Sequence, residues 1–329
     1  MTERKHVEEV VIGAAVAGGA LAAAKLGWDR LTADREQRKF ALHPGEPVPE
    51  GIERIALAQL DGSIEGLAGE SDADRATAIH ETRKSLKRLR TTARLTRHQL
   101  GDRAFRRDNR TFRDVGRRLS AARDSRVMLD TLAELVEHYP RVADSDGLAP
   151  FRRTLLSRHA NSQRKLRDTA ASEQALRELR AARDRVSAWP LSGESAAALA
   201  PGVEQIYRRG RRAYKAARKD PSTENFHDLR KRAKDLWYTG QIVQSAAPEA
   251  FEPITADAHE LSDLIGKDHD LALLAENASA RPERFAEGVS LDDFLGLVAR
   301  RRRKLQRKSL KVAGRLYEQK PKKLVRALS

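Results

Sequence analysis

Two stretches of the chain repeat one pattern of ionisable side chains, His-x-x-Arg-Lys-x-x-Lys. The first runs from His80 to Lys87 and the second from His227 to Lys234, 147 residues later. Positions i, i+3, i+4 and i+7 lie on one face of an α-helix. Each copy therefore predicts a helical face with one titratable imidazole and three permanent cations. Such a face is typical of a binding site for an anion, and the repetition predicts two related copies of that site.

Apolar residues accompany both motifs at the same offset. In each copy they follow a three-four spacing, which predicts an amphipathic helix with the cations beside its buried side. These residues are Ile79, Thr82, Leu86, Leu89, Ala93 and Thr96 in the first copy and Phe226, Leu229, Ala233, Leu236, Gly240 and Val243 in the second. The cations are thus expected at the edge of a groove between helices, where a ligand could be held from two sides.

The composition predicts an all-α protein that contains no disulfide. Charged residues make up 33% of the 329 residues and aromatic residues only 5%, and no run of alternating β-branched residues stands out. The absence of cysteine excludes disulfides, cysteine-ligated zinc and thiol nucleophiles, and a reducing cytoplasm is expected. The pairs His259/Asp263 and His269/Asp270 lack further ligands, so neither a metal nor another cofactor is predicted.

The positive charge is concentrated in a few segments. The chain has a formal charge of +16, and 29 of its 63 Lys and Arg residues fall in four stretches that contain a single acid. The stretches are 80–98, 152–167, 206–219 and 300–315. The rest of the chain is net negative, which favours a focused anion site over a uniformly basic surface.

Two features of the chain predict its domain boundaries. Residues 10–24 form an apolar run of 15 residues, shorter than the roughly 20 needed to cross a bilayer. A packing or self-association helix, a membrane contact and a disordered leader all remain open for this run. The Pro- and Gly-rich residues 40–50 predict a linker that separates it from the helical region.

Recurring landmarks predict a tandem duplication. The segment that begins at Gly51 is echoed by one that begins at Gly202, in the same order as the two motifs. We expect an N-terminal segment, two half-repeats and a basic tail, at residues 1–39, 40–195, 196–320 and 321–329. Helices are predicted at 51–68, 72–100, 102–122, 124–139, 147–169, 172–188, 195–219, 222–245, 249–265, 267–280 and 290–318.

Residues 80–90 and 227–237 are similar to the signature helices of the CHAD family, whose name stands for conserved histidine α-helical domain. They read HETRKSLKRLR and HDLRKRAKDLW. Residues 42–52 resemble the entry to that domain, and residues 207–211 resemble the helix before its second motif. The resemblance spans about residues 40–320.

The resemblance implies a fold, a ligand and a location. The implied fold is two helical bundles related by pseudo-twofold symmetry around a basic central cavity. The implied ligand is inorganic polyphosphate, and members of the family associate with polyphosphate granules. Some members carry a fused triphosphatase domain with a Glu-x-Glu-x-Lys strand motif. Because that motif is absent from this sequence, we expect a protein that binds polyphosphate without catalysis.

A linear polyphosphate needs cations along a line, and several predicted helices supply one. The residues predicted to bind it are His80, Arg83, Lys84, Lys87, Arg88, Arg208, Arg212, Lys215, His227, Arg230, Lys231, Lys234, Arg300, Lys304 and Arg307. The alternative for these cations is a solvated surface paired with acids. Because Asp235 and Trp237 replace two cations of the first copy, we expect the first copy to bind more tightly. Asp124 and Asp268 are expected to cap a helix or to pair with an arginine.

Two other functions fit the charge less well. A nucleic-acid binder is one alternative, but binders of single strands usually add aromatic platforms, and the basic helices contain few aromatic residues. A phosphohydrolase is the second, and it would need a cluster of metal-binding carboxylates that the sequence does not display. The apolar residues 10–24 could contact a membrane or a granule surface. The sequence sets no oligomeric state.

Overall fold

The computed structural model describes residues 39–69, 72–119, 124–140, 146–165, 170–285 and 289–329. These residues contain eleven α-helices and no strand, so the predicted all-α class is confirmed. The helices are α1 (Val48–Ala68), α2 (Asp72–Leu95), α3 (Arg97–Arg118), α4 (Asp124–His138), α5 (Ala149–Lys165), α6 (Ala170–Val186), α7 (Ala200–Lys219), α8 (Thr223–Val243), α9 (Pro248–Ser279), α10 (Leu291–Leu316) and α11 (Pro321–Val325). The apolar run 10–24 lies outside the described residues.

The motif helices α2 and α8 bury the faces that their spacing predicts. All twelve positions of the two apolar registers are buried. The α8 helix begins after Ser222, whose hydroxyl accepts a hydrogen bond from the backbone N–H of Asn225 at 3.4 Å. Burial of one face leaves the cations of each motif along the edge of the helix.

Helices from the two halves of the chain pack into two groups that share one core. Helices α1, α2, α3 and α6 form the first group, and α7, α8, α9 and α10 form the second. The α2 helix also contacts both α7 and α8, which joins the groups. Side chains such as Leu89, Phe112, Leu229 and Leu261 therefore belong to a single apolar cluster. No helix in the described part of the chain is long and apolar enough to cross a membrane.

Helices α4 and α5 lie in the first half of the sequence but pack against the second group. They contact each other, and α4 contacts α9. Leu132 of α4 and Phe151 of α5 share a separate apolar cluster with Leu274 of α9 and Phe294 of α10. The predicted boundary at residue 195 thus follows the chain order, whereas the packing crosses it.

The long helix α9 corrects one predicted helix break. A break was expected at Gly266, but α9 runs without interruption from Pro248 to Ser279. A Cβ atom at Gly266 would lie 3.4 Å from Nη2 of Arg230, so this glycine makes room for the guanidinium of a neighbouring helix. At Gly101, where a break was expected, a φ of +72° kinks the first turns of α3, but α2 already ends at Leu95.

The last residues of the chain are folded, which corrects the expected basic tail at 321–329. Helix α11 packs against α7 and is followed by a 3-10 turn. Leu324 and Leu328 are buried and belong to the main apolar cluster. These two leucines, four residues apart, hold the segment against the domain, whereas Lys322 and Lys323 remain exposed.

The contact between α2 and α7 depends on a glycine. A Cβ atom at Gly202 would overlap the backbone carbonyl of Leu95, which cannot move without shifting α2. We expect Gly202→Ala to lower the free energy of unfolding by about 1–3 kcal/mol, the usual cost of overpacking. Urea denaturation measures this loss. Gly62→Ala is the matched control: nothing lies within 4 Å of that position, and alanine should stabilise α1 by up to ~1 kcal/mol. Equal effects at both positions would contradict the close contact.

Candidate anion-binding site

The two motif helices enclose a cavity of about 280 Å³, which we call the motif cavity. Its lining carries seven permanent cations and one carboxylate. The lining residues are Lys87, Arg90, Thr91 and Arg94 of α2 and His227, Arg230, Lys231, Arg232, Lys234, Asp235 and Tyr238 of α8. A net charge of +6 in one concave surface concentrates the positive potential there and attracts anions.

Asp235, the carboxylate of the motif cavity, links the two motif helices. Its Oδ1 accepts a hydrogen bond from Nη1 of Arg94 at 2.7 Å, and its Oδ2 lies 3.5 Å from Nη1 of Arg232. The Arg94 and Asp235 side chains are only 10% and 14% exposed. This residue, which breaks the match between the motif copies, therefore forms a cross-helix ion pair. The cations of the lining still outnumber it.

Arg90 lies where several cations crowd together. Burial lowers the pKa of its guanidinium, and the charge of Arg94 lowers it further, with smaller effects from Arg113 and Arg117 of α3. Its Nε donates a hydrogen bond to Oδ1 of Asn109 at 3.1 Å. An anion bound in the motif cavity would relieve this repulsion, and its binding is favoured for that reason.

Arg209 of α7 interacts with the cations of the motif helices, although the sequence pattern did not single it out. Burial lowers the pKa of its guanidinium most, and the charges of Arg232 and Arg94 lower it further. The predicted ligands on α7, Arg208, Arg212 and Lys215, are instead exposed and are not part of the lining. Arg208 also pairs with Glu204. Because they lie outside the lining, the geometry does not favour their predicted role in binding, which stays a prediction to be tested.

Two histidines face each other where α8 and α9 meet. The ring of His227 lies 5.2 Å from the ring of His269, measured between centroids. Burial lowers the pKa of both imidazoles, and the charges of Lys231 and Arg230 lower the pKa of His227 and His269 respectively. The buried Nδ1 of His227 has no hydrogen-bond partner among the described residues. Both rings are thus neutral near pH 7 and next to cations.

The two motif copies contribute unequally. His80, Arg83 and Lys84 of the first copy lie outside the lining of the motif cavity, whereas their counterparts in the second copy line it. His80 is exposed, and Nζ of Lys84 donates to Oε2 of Glu81 at 3.1 Å. The expectation that the first copy dominates is therefore not favoured by the geometry, since α8 supplies more of the lining.

Arg88, a predicted ligand, faces away from the motif cavity. Its guanidinium lies 4.7 Å from the ring centroid of Phe40, and Nη1 donates to Oε1 of Gln59 at 3.3 Å. Only 8% of the residue is exposed. These contacts indicate a role in packing α2 against α1 and the entry segment.

The cations of α10 include an exposed stripe and the partly buried Arg301 and Arg302. Arg300, Lys304 and Arg307 are exposed and do not line the motif cavity. Arg302 instead donates from Nε to Oδ1 of the buried Asp268 at 3.0 Å. Of the two roles expected for Asp268, the ion pair is confirmed, and the helix cap is wrong because Asp268 lies inside α9. The side chain of Asp124 lies outside the described residues.

Within the described ranges, no group of three or more His, Asp or Glu side chains could hold a metal ion. The pair His259/Asp263, with Nε2 3.4 Å from Oδ2, gains no third ligand, and the ring of His259 stacks on Trp237. The chemistry of the motif cavity is therefore that of guanidinium, ammonium and imidazole groups, which suits the oxygens of an anion.

Comparison with known proteins supplies the family. The sequence model of the CHAD domain matches residues 54–279, more than half of the chain. Among solved structures, the crystal structure of the CHAD domain from the plant Ricinus communis matches with a TM-score of 0.55 at 18% identity. The match covers 84% of this chain and 94% of that one, and it shows a shared fold. A comparison with curated proteins found no match. The chain, with two His-x-x-Arg-Lys-x-x-Lys helices around one cationic cavity, belongs to the CHAD family.

Proposed function

We propose that this protein binds inorganic polyphosphate in the motif cavity and does not hydrolyse it. The observation that carries the proposal is the cavity itself, in which seven Lys and Arg side chains from two helices surround one space with a single carboxylate. A polyphosphate has a charge on each unit and no base to stack. Guanidinium and ammonium groups that converge from two sides match that chemistry.

The cations near the cavity extend beyond its lining. Arg113 and Arg117 of α3 act on Arg90, and Arg209 of α7 lies in the field of Arg94 and Arg232. Cations therefore approach the site from four helices, α2, α3, α7 and α8. A polymer could leave the cavity along any of these surfaces and stay neutralised. We propose that the bound polymer is part of a cytoplasmic polyphosphate granule, to which the protein is thereby recruited.

A competition experiment tests the ligand. Labelled long-chain polyphosphate is bound at moderate salt and displaced with unlabelled polyphosphate or single-stranded DNA at equal phosphate concentration. We expect polyphosphate to displace the label far better, because the rings of the described lining are the buried one of Tyr238 and the small imidazole of His227, which make a poor stacking platform for bases. Equal displacement by DNA would favour a nucleic-acid binder, and release of phosphate in the presence of Mg²⁺ would contradict binding without hydrolysis.

Binding should depend on pH through His227 and His269. In the protein without ligand, burial and nearby cations hold both pKa values below 6.5. A bound polyanion raises both pKa values, so binding takes up protons. Affinity should therefore rise as the pH falls through the ordinary imidazole range and should level off below the lowered pKa values of the free protein, with up to roughly tenfold gain per pH unit for each proton taken up. Calorimetry in buffers of different ionisation enthalpy measures this uptake.

A matched pair of variants tests whether His227 and His269, and not other groups, cause the pH dependence of binding. His227→Gln with His269→Gln should flatten the pH dependence of binding. His138→Gln, an exposed histidine on α4, should leave it unchanged. A pH dependence that persists in the double variant would show that the protons bind elsewhere.

A further inference from the structure

A second cleft with several arginines lies apart from the motif helices, between α5 and the residues that follow α9. It has a volume of about 350 Å³, and we call it the arginine cleft. No carboxylate belongs to its lining. The polar lining residues are Arg153, Thr154, Ser157 and Arg158 of α5, Arg281 after α9, and Arg284 in the 3-10 turn Pro282–Phe285.

The elements that carry these arginines are held by a compact apolar base. The ring of Phe151 in α5 lies 5.0 Å from that of Phe285 in the 3-10 turn and 5.9 Å from that of Phe294 in α10. All three residues are buried. Aromatic packing of this kind fixes the backbone that carries the four arginines, all of which line the same cleft.

Among the described residues, the charges of the arginine cleft have few carboxylate partners. Arg158 donates to the side-chain oxygen of Asn277, and Nη1 of Arg281 donates to the backbone oxygen of Asn277 at 3.2 Å. Both partners are neutral. In the part of the chain that the structure describes, Arg284 pairs with the carboxylate of Glu283 at 3.4 Å, and that carboxylate is 62% exposed. Arg153 makes no hydrogen bond or ion pair with any described residue.

We infer that the arginine cleft is a second binding site for a phosphoanhydride anion. Its guanidinium groups have the planar donor geometry that matches phosphate oxygens two at a time, and Asn277 orients two of them in advance. The exposed hydroxyl of Ser157 adds a further donor. A divalent or higher anion would reduce the repulsion among the four arginines of the lining.

The anion could be a short oligophosphate or a stretch of the polymer that occupies the motif cavity, in which case the inference rests on the proposed function. Helix α9 links the two places: Gly266 lies beside Arg230, and Arg281 follows 15 residues later. The 13 residues from Gly266 to the end of α9 at Ser279 rise about 20 Å at 1.5 Å per residue, and Arg281 lies two residues beyond. A polymer that reaches both sites would gain affinity through a high effective concentration at the second.

Calorimetry with tripolyphosphate and with long-chain polyphosphate tests the inference. The variant Arg153→Ala with Arg281→Ala removes two charges from the arginine cleft. Arg103→Ala with Arg180→Ala removes two exposed charges elsewhere and serves as the control. Loss of one bound tripolyphosphate per protein in the first variant alone would support a site for a short anion. Unchanged tripolyphosphate binding with at least tenfold weaker binding of the long polymer would support a second contact for the polymer.

Other outcomes overturn the inference or separate it from the proposed function. If the cleft variant binds both anions as the control does, the arginine cleft is not a binding site. If the unaltered protein fails to bind long polymer while the cleft variant still loses tripolyphosphate, the proposed function fails and the second site stands. Arg153→Glu, which leaves Arg281 bonded to Asn277, should give the same loss and guards against an effect of misfolding.

Discussion

Replacement of Lys87, Lys231 and Lys234 by alanine should weaken the binding of long-chain polyphosphate on the order of 100-fold at low salt. The three ammonium groups come from both motif helices and line the motif cavity. The loss follows if each contributes about 1 kcal/mol through a charge-assisted contact. The slope of log affinity against log salt concentration should also become less steep, by roughly 2 if each contact releases about 0.7 of a counterion, as in single-stranded nucleic acids.

The matched control removes three cations from the exposed face of α7. Arg208, Arg212 and Lys215 lie outside the lining of the motif cavity, so their replacement by alanine should change affinity less than about threefold. The two triple variants have the same net charge, which cancels the general attraction of a basic protein for a polyanion. Equal losses in both would show that the outer surface of α7 contributes as much as the lining, and would refute the cavity as the specific site.

Asp268→Ala should lower the free energy of unfolding by about 3–5 kcal/mol, because it leaves the positive charge of Arg302 without its partner inside the domain. Asp268 is 1% exposed and accepts hydrogen bonds from Nε of Arg302 at 3.0 Å and from Nε2 of Gln306 at 3.1 Å. Nη2 of Arg302 also donates to Oγ1 of Thr223 at the start of α8. One carboxylate thus ties α9 to α10 and, through Arg302, to a motif helix. Urea denaturation measures the loss.

Two comparisons show whether the loss of stability in Asp268→Ala comes from the unpaired charge of Arg302 or from lost packing. Asp263→Ala removes a carboxylate of α9 that is 61% exposed and pairs with His259, and it should change stability by less than about 0.5 kcal/mol. Replacing both Asp268 and Arg302 by leucine should be less destabilising than Asp268→Ala alone. If the double variant is the less stable protein, the ion pair itself stabilises the fold.

The sequence predicts those parts of the fold that depend on local spacing. Leu86, Leu89, Leu229 and Leu236 recur every three or four residues, and this period alone predicts which face of α2 and α8 is buried. The docking of α5 on the second group has no such signal, since nothing near Phe151 encodes its distant partners. Glycine is ambiguous for a related reason: a helical glycine can end a helix or admit a neighbouring side chain.

In the candidate site, too, some residues can be predicted from local spacing and others depend on how the helices pack. Lys87, Lys231 and Lys234 follow from the motif, and Arg90 and Arg94 could have been selected as well, because they continue the three-four spacing beyond Lys87. The choice between Arg208 and Arg209 depends on a rotation of about 100° around α7, which requires knowledge of the faces that α7 buries. His269 is the hardest case, because it lies next to His227 only through the packing of α9 on α8.

The position of α4 and α5 has a mechanical consequence. Because two helices of the first half complete the second apolar cluster, a cut at residue 195 would leave each fragment with an unfinished interior. Neither half is then expected to fold, be exchanged or be degraded alone, because each would expose apolar surface that the intact chain buries. The two walls of the motif cavity, α2 and α8, likewise share one apolar cluster. A polymer bound as proposed above would therefore meet the walls of one folded unit and not two separable domains.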